Sequence, residues 1–182
     1  MATSQHLARL ARDAEDVASV LKVFRDQYEE TSSVTSITDA IGKLFGVSSA
    51  LLKLGDSQHE SRYRSSWYRI QGDVDLVYRS ATHTLEAALD MVDRPADSQW
   101  MVWGDLNYRM SNVERVDFLD RLNWYQIFCR DLLDVISGRS SDTLSRLRDK
   151  LQDLLRAQEH AKFLEQTGHL LDSGEHRYCH LL

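Results

Sequence analysis

Apolar residues open the chain at alternating steps of three and four: Leu7, Leu10, Ala14, Val17, Leu21, Phe24 and Tyr28. A mean spacing so close to one α-helical turn puts all of them on one stripe, and predicts a helix from about Ser4, its N-cap, to Glu30. The polar cluster Thr31-Ser32-Ser33-Val34-Thr35-Ser36 offers side chains that compete for backbone bonds, and is expected to turn the chain. The alternation then returns on Val34, Ile37, Ile41, Leu44, Ser48 and Leu51, with Phe45 and Leu52 widening the stripe and Gly55 as the stop. A third and longest segment, from about Gln58 to Asp93, carries Tyr63, Trp67, Ile70, Val74, Val77 and Ala81. Leu85, Ala88, Leu89 and Val92 continue its stripe, and Gly72 within it is expected to mark close packing.

The stretch Asp93–Gln99 holds the only proline, Pro95, and is the clearest break. A shorter helix is expected from Trp100 to Met110, bearing Trp103 and Leu106. Ser111 and Glu114 match a capping box for the next helix. That helix has a wide apolar face, with Phe118, Leu122, Tyr125, Cys129, Leu132 and Ile136 flanked by Leu119 and Leu133, as suits a rod touching several partners. Gly138 ends it. A last helix is predicted from about Asp142 to Gln166, on Leu144, Leu147, Leu151, Leu154 and Ala161, with Gly168 as stop. Alternation of period two is never sustained, so strands are not expected. The fold class is all-α: an up-and-down bundle of about five or six amphipathic helices. One domain spans 1–168, followed by a flexible tail at 169–182.

Composition narrows the functions. The chain has 182 residues, of which 42% are hydrophobic, enough for a core without staples. Lys and Arg number 22 against 28 Asp and Glu, a net charge of −6 with no separate basic run. A nucleic-acid partner is therefore not expected. Neither a secretory leader nor a membrane-length apolar stretch is visible, and the two cysteines lie far apart. These features read as a reducing, cytoplasmic setting with free thiols. Cys129 falls on an apolar face as a small core residue.

Candidate chemistry is sparse. Glu-x-x-His pairs for a carboxylate-bridged metal site do not occur, and His169, His176, Cys179 and His180 match no common zinc spacing. Gly-x-Ser-x-Gly elbows and phosphate-cradling glycine loops are also missing, so no catalytic residue, metal or cofactor is assigned. Aromatic residues offer another possibility. Trp100, Trp103, Trp124 and Tyr125 are the candidate interaction residues, Trp124 first because it lies off the main stripe of its helix and indole is enriched at interface hot spots. Cys179-His180-Leu181-Leu182 resembles a C-a-a-X box. Its terminal leucine would favour geranylgeranylation of Cys179, although His180 is not aliphatic and no polybasic second signal accompanies it.

Two stretches, residues 12–54 and Leu119–Gly138, resemble the N-terminal helical module of large filamentous-fungal proteins, a likeness spanning roughly residues 7 to 165. The resemblance implies an intracellular helical domain and carries no assigned activity, so no functional residue transfers. A looser comparison is to the fungal HeLo-like helical domains, whose markedly apolar first helix contrasts with the Arg- and Asp-rich one here. The sequence thus reads as a non-enzymatic helical interaction module or scaffold, binding a protein partner or its own copy. The alternatives are a peripheral membrane protein anchored through prenylated Cys179, and an enzyme or small-molecule binder whose site is assembled between helices.

Overall fold

A computed structural model describes residues 2–27, 31–92, 108, 110–111 and 115–175. Among these, five long helices carry the structure and no strand occurs: α1 (Ser4–Gln27), α2 (Thr31–Ser57), α3 (Arg64–Val92), α4 (Phe118–Ile136) and α5 (Leu144–Glu175). A single 3-10 turn, Ser61–Tyr63, leads into α3. The expected stripes meet inside. Leu7, Leu10, Ala14, Val17, Leu21 and Phe24 of α1 are buried against Ile37, Leu44 and Leu51 of α2, and Trp67, Ile70, Val74 and Val77 of α3 join the same core.

Cross-helix pairs fix the directions. Ser4 reaches Gln58 and Glu15 reaches Ser48, so α1 and α2 run antiparallel. Ala2 bonds to Asp75 and Gln71, and His6 stacks near Tyr78, which makes α1 and α3 parallel. Thr143 meets Asp131 and Lys150 meets Trp124, so α4 and α5 are antiparallel. Successive helices therefore alternate up and down. Their neighbours are not simply successive, however: α1, α2, α4 and α3 close a ring in that order, with α2 and α3 on its diagonal. The connection through residues 58–63 crosses that diagonal. α5 lies outside the ring, in the groove between α3 and α4.

Several boundaries differ from expectation, each for a local reason. Thr31–Ser36 opens α2 instead of turning the chain; just beyond it Thr38 donates its hydroxyl to the Val34 carbonyl, 2.7 Å away, so short polar side chains here bond within a helical backbone. Gly55 does not stop α2. It lies inside the helix, where a Cβ would come 3.4 Å from the Ser4 Oγ, so glycine admits the start of α1. Ser4 is not the acceptor that caps α1; its own N–H donates to the Gln58 side chain at 2.7 Å.

The capping box at Ser111 and Glu114 does not begin α4. Ser111 is itself helical, Glu114 lies outside the described residues, and the cap is Asp117, whose Oδ1 accepts from the Asp120 N–H at 2.8 Å. Gly138, with φ +80°, does end α4 as expected. Gly168 does not end α5, which continues to Glu175. Gly72 marks no close packing: an added Cβ would find nothing within 4 Å.

Because Gly72 occupies an open position within α3, Gly72→Ala is expected to stabilise the protein by about 0.5–1 kcal/mol by restricting the unfolded chain. Denaturant unfolding checks this; a destabilised variant would show a constraint at Gly72 that the packing does not contain.

Candidate functional site

Where α3, α4 and α5 meet, the interior is polar. The helical spacing of α5 puts Gln158 on the stripe between Leu154 and Ala161, and it is buried there with Ser80 and Thr84 of α3 and Tyr125 of α4. The Gln158 Nε2 donates to Thr84 Oγ1 at 2.8 Å and to the Ser80 carbonyl at 3.2 Å, while its Oε1 accepts from Ser80 Oγ at 3.0 Å. The Tyr125 hydroxyl donates to the Ser80 carbonyl at 3.0 Å and lies 2.8 Å from Thr84 Oγ1. With Thr84 accepting from Gln158, its own proton is directed to Tyr125, and every member is then satisfied. Burial pushes the Tyr125 hydroxyl's pKa up; its hydrogen bonding with Ser80 and Thr84 and the nearby Arg121 charge only partly offset it. This knot is saturated internally and presents nothing to a substrate. Its work is to hold the register of three helices.

A second buried polar group fastens the segment before α4. Arg121 is wholly enclosed; its Nε donates to the Val116 carbonyl at 2.8 Å and a terminal N–H to the Met110 carbonyl at 3.0 Å. Val116 N–H also closes on Met110 at 3.3 Å, and Arg115 between them adopts φ +61°, a left-handed conformation uncommon outside glycine. Along the outer seam of α3 and α5, Arg148 grips Asp73 with two bonds of 2.6 and 2.7 Å, which raises the Arg148 pKa. Arg79–Glu159 and Lys162–Glu86 extend this ladder on more exposed ground, where each pair contributes about 0–1 kcal/mol.

Clefts follow these seams. One of about 430 Å³ between α3 and α5 is lined by Asp73, Asp75, Arg79 and Glu159, charges largely engaged with one another. Another of about 470 Å³ separates Asp39 and Lys43 of α2 from Asp117 and Asp120 near the start of α4. A third, about 120 Å³, lies beside His6, Arg9, Asp13 and Glu86, and is smaller than organic ligands need. Partial burial raises the Asp13 pKa there, opposed mainly by Arg9. Among the described residues, no group of three or more His, Cys, Asp or Glu could hold a metal ion. No described helix is long and apolar enough to cross a membrane.

The aromatic candidates separate. Tyr125 is a core residue and cannot dock a partner: the stripe that carries it faces inward, and its hydroxyl is consumed by the knot. Trp124 is half-buried in the α4–α5 seam, its ring covered by the Lys150 ammonium 4.7 Å from the centroid. Trp100, Trp103 and Cys179 lie outside the described residues. Cys129 is a buried core thiol, as its position on the stripe implied.

Among the described residues, the exposed large apolar side chains lie elsewhere: Val23 on α1, Phe45 (50% exposed) and Leu52 (40%) on α2, Tyr68 on α3, Tyr108, and Phe163 and Leu164 on α5. The pair on α2 had a legible signal, a seven-residue repeat one helical step away from the main stripe. The α2 stripe widens on the side away from that repeat, so the two residues expected to broaden the core lie outside it. Ala40, Val47 and Leu54 widen it inward, and Phe45 and Leu52 face out. No known protein family, characterised protein or solved structure matches this chain.

Two outcomes test the interior. Tyr125→Phe leaves a knot of buried groups short of a partner and is expected to cost about 1–3 kcal/mol in denaturant unfolding; an unchanged midpoint would show that the knot is not made. Burial pushes the Cys129 thiol pKa up to about 12, so in a Cys179→Ser protein at neutral pH a disulfide reagent should label it only on unfolding. An unfolded thiol ionises near its ordinary value, so the unfolded chain loses that proton first. Stability is then full below about pH 8.5 and falls as pH rises towards 12.

Proposed function

We propose that the protein is a non-enzymatic helical interaction module, and that α2 carries its working surface. One observation supports this above the others: α2 turns a continuous uncharged line outward, Thr38, Gly42, Phe45, Ser49 and Leu52, all exposed and spanning about 21 Å. Thr38 spends its donor on its own helix, so even this polar residue leaves its methyl free for contact. Large apolar side chains held half out of water on a rigid rod are costly to leave bare and suit burial against another helix. The buried polar groups of the interior, by contrast, are satisfied among themselves: no described buried side-chain nitrogen or oxygen lacks a partner.

Phe45→Asp/Leu52→Asp tests this reading, since both positions face solvent and the fold should tolerate charge there. Circular dichroism and melting temperature are expected to stay near the parent's, while binding to whatever partner the parent engages falls at least about tenfold. If association measured by interferometry or sedimentation is indifferent to the double variant, α2 is not the working surface and the reading fails.

A further inference from the structure

Resting on the interaction-module reading, we infer that the outward line of α2 pairs with the same line of a second copy of this chain, antiparallel about a two-fold axis at Val47. Gly42 and Leu52 lie five residues either side of Val47, and Phe45 and Ser49 lie two either side. When two copies of α2 run antiparallel through that centre, each Leu52 faces the other copy's Gly42 and each Phe45 faces its Ser49. A large side chain thus meets a small one in every layer. Spacing of four, three, four and three from Thr38 to Leu52 is the repeat of a coiled-coil seam, and antiparallel seams stack such unlike positions opposite each other. The pattern is self-complementary, as an isologous contact must be.

Space and charge agree with that register. A Cβ on Gly42 would find nothing within 4 Å, so the hollow above it is open for a partner's leucine. Asp39 and Lys53 flank the line on one side and are both exposed. In the paired arrangement Asp39 of one copy comes within two residues, about 3 Å, of the level of the other copy's Lys53, twice by symmetry, so the flanking charges attract. Asp39 keeps its pairing with Lys43 of its own helix at 3.6 Å. Neither end of the line places like charges opposite each other: Thr38 faces Asp56. A seam of about 21 Å buries roughly 1,000 Å² in total, near the lower bound for a specific interface. The dimer is therefore a reversible one, as small interfaces are.

Sedimentation velocity of the full chain over roughly 1–300 µM measures this directly. A monomer–dimer equilibrium is expected, weakened roughly a hundredfold by Phe45→Asp. Gly42→Leu is the sharper variant. It adds apolar surface and a better helix former, so unspecific sticking would strengthen, whereas filling the hollow that receives Leu52 should weaken pairing at least about tenfold. Asp39→Lys should also weaken it, and Asp39→Lys/Lys53→Asp should restore it. All these positions are exposed, so folding is preserved and checked by circular dichroism. A monomer at every concentration overturns the pairing, as does a dimer indifferent to Gly42→Leu. If the parent is monomeric while Phe45→Asp/Leu52→Asp still abolishes binding of a different protein, only the identity of the partner was wrong. If no association responds to either residue, the module reading falls as well.

Discussion

The hydrogen-bonded knot of Tyr125, Ser80, Thr84 and Gln158 is the interaction on which the arrangement of α3, α4 and α5 depends. Apolar side chains can slide against each other with small change in energy. A buried amide and a buried phenol cannot, because a shift along the seam leaves donors without acceptors in a medium without water. α5 is held on one side of the bundle only, and Gln158 is the residue that sets where along α3 it stops. The Arg148–Asp73 pair further down the same seam agrees with that register.

This separation of tasks explains why the ionisable and polar groups inside the protein do not read as chemistry. Arg121 holds the Met110 and Val116 carbonyls, Asp131 receives Thr143 ahead of α5, and Glu15 receives Ser48 across α1 and α2. Each is a fastening between particular elements, and each is consumed by the contact it makes. Among the described residues, what remains open to another molecule is the outer skin of the rods and the clefts along their seams. On that skin α2 presents an uncharged line with alternating large and small side chains, longer than the run Ser65, Tyr68 and Gly72 on α3.

The ring order α1, α2, α4, α3 has a consequence for the surface. Since α2 and α3 occupy the diagonal, among the described helices α2 is flanked only by α1 and α4, and one broad face of it stays outside them. Gly46 lets the Gln126 side chain lie against the helix backbone on the α4 side, and Ser48 binds Glu15 on the α1 side. Phe45 and Leu52 project between these two seams. The exposed line is thus the face of α2 turned away from the interior of the ring.

Helix identity and inward faces were legible in the residues alone. Three-four spacing is a local property of the backbone, and burying such a stripe is favourable whichever neighbour supplies the cover. For the same reason Leu7 to Phe24, Phe118 to Ile136 and Leu144 to Ala161 all point inward as their spacing required. The neighbours themselves were not legible. Which rod lies against which depends on pairs far apart in the chain, such as Gln158 with Thr84 or Ala2 with Asp75, and spacing carries no record of them. Tyr125 and Phe45 show the difference: both are aromatic residues at helical spacing, and only the assembled bundle decides that one is sealed inside by three helices and the other left facing water.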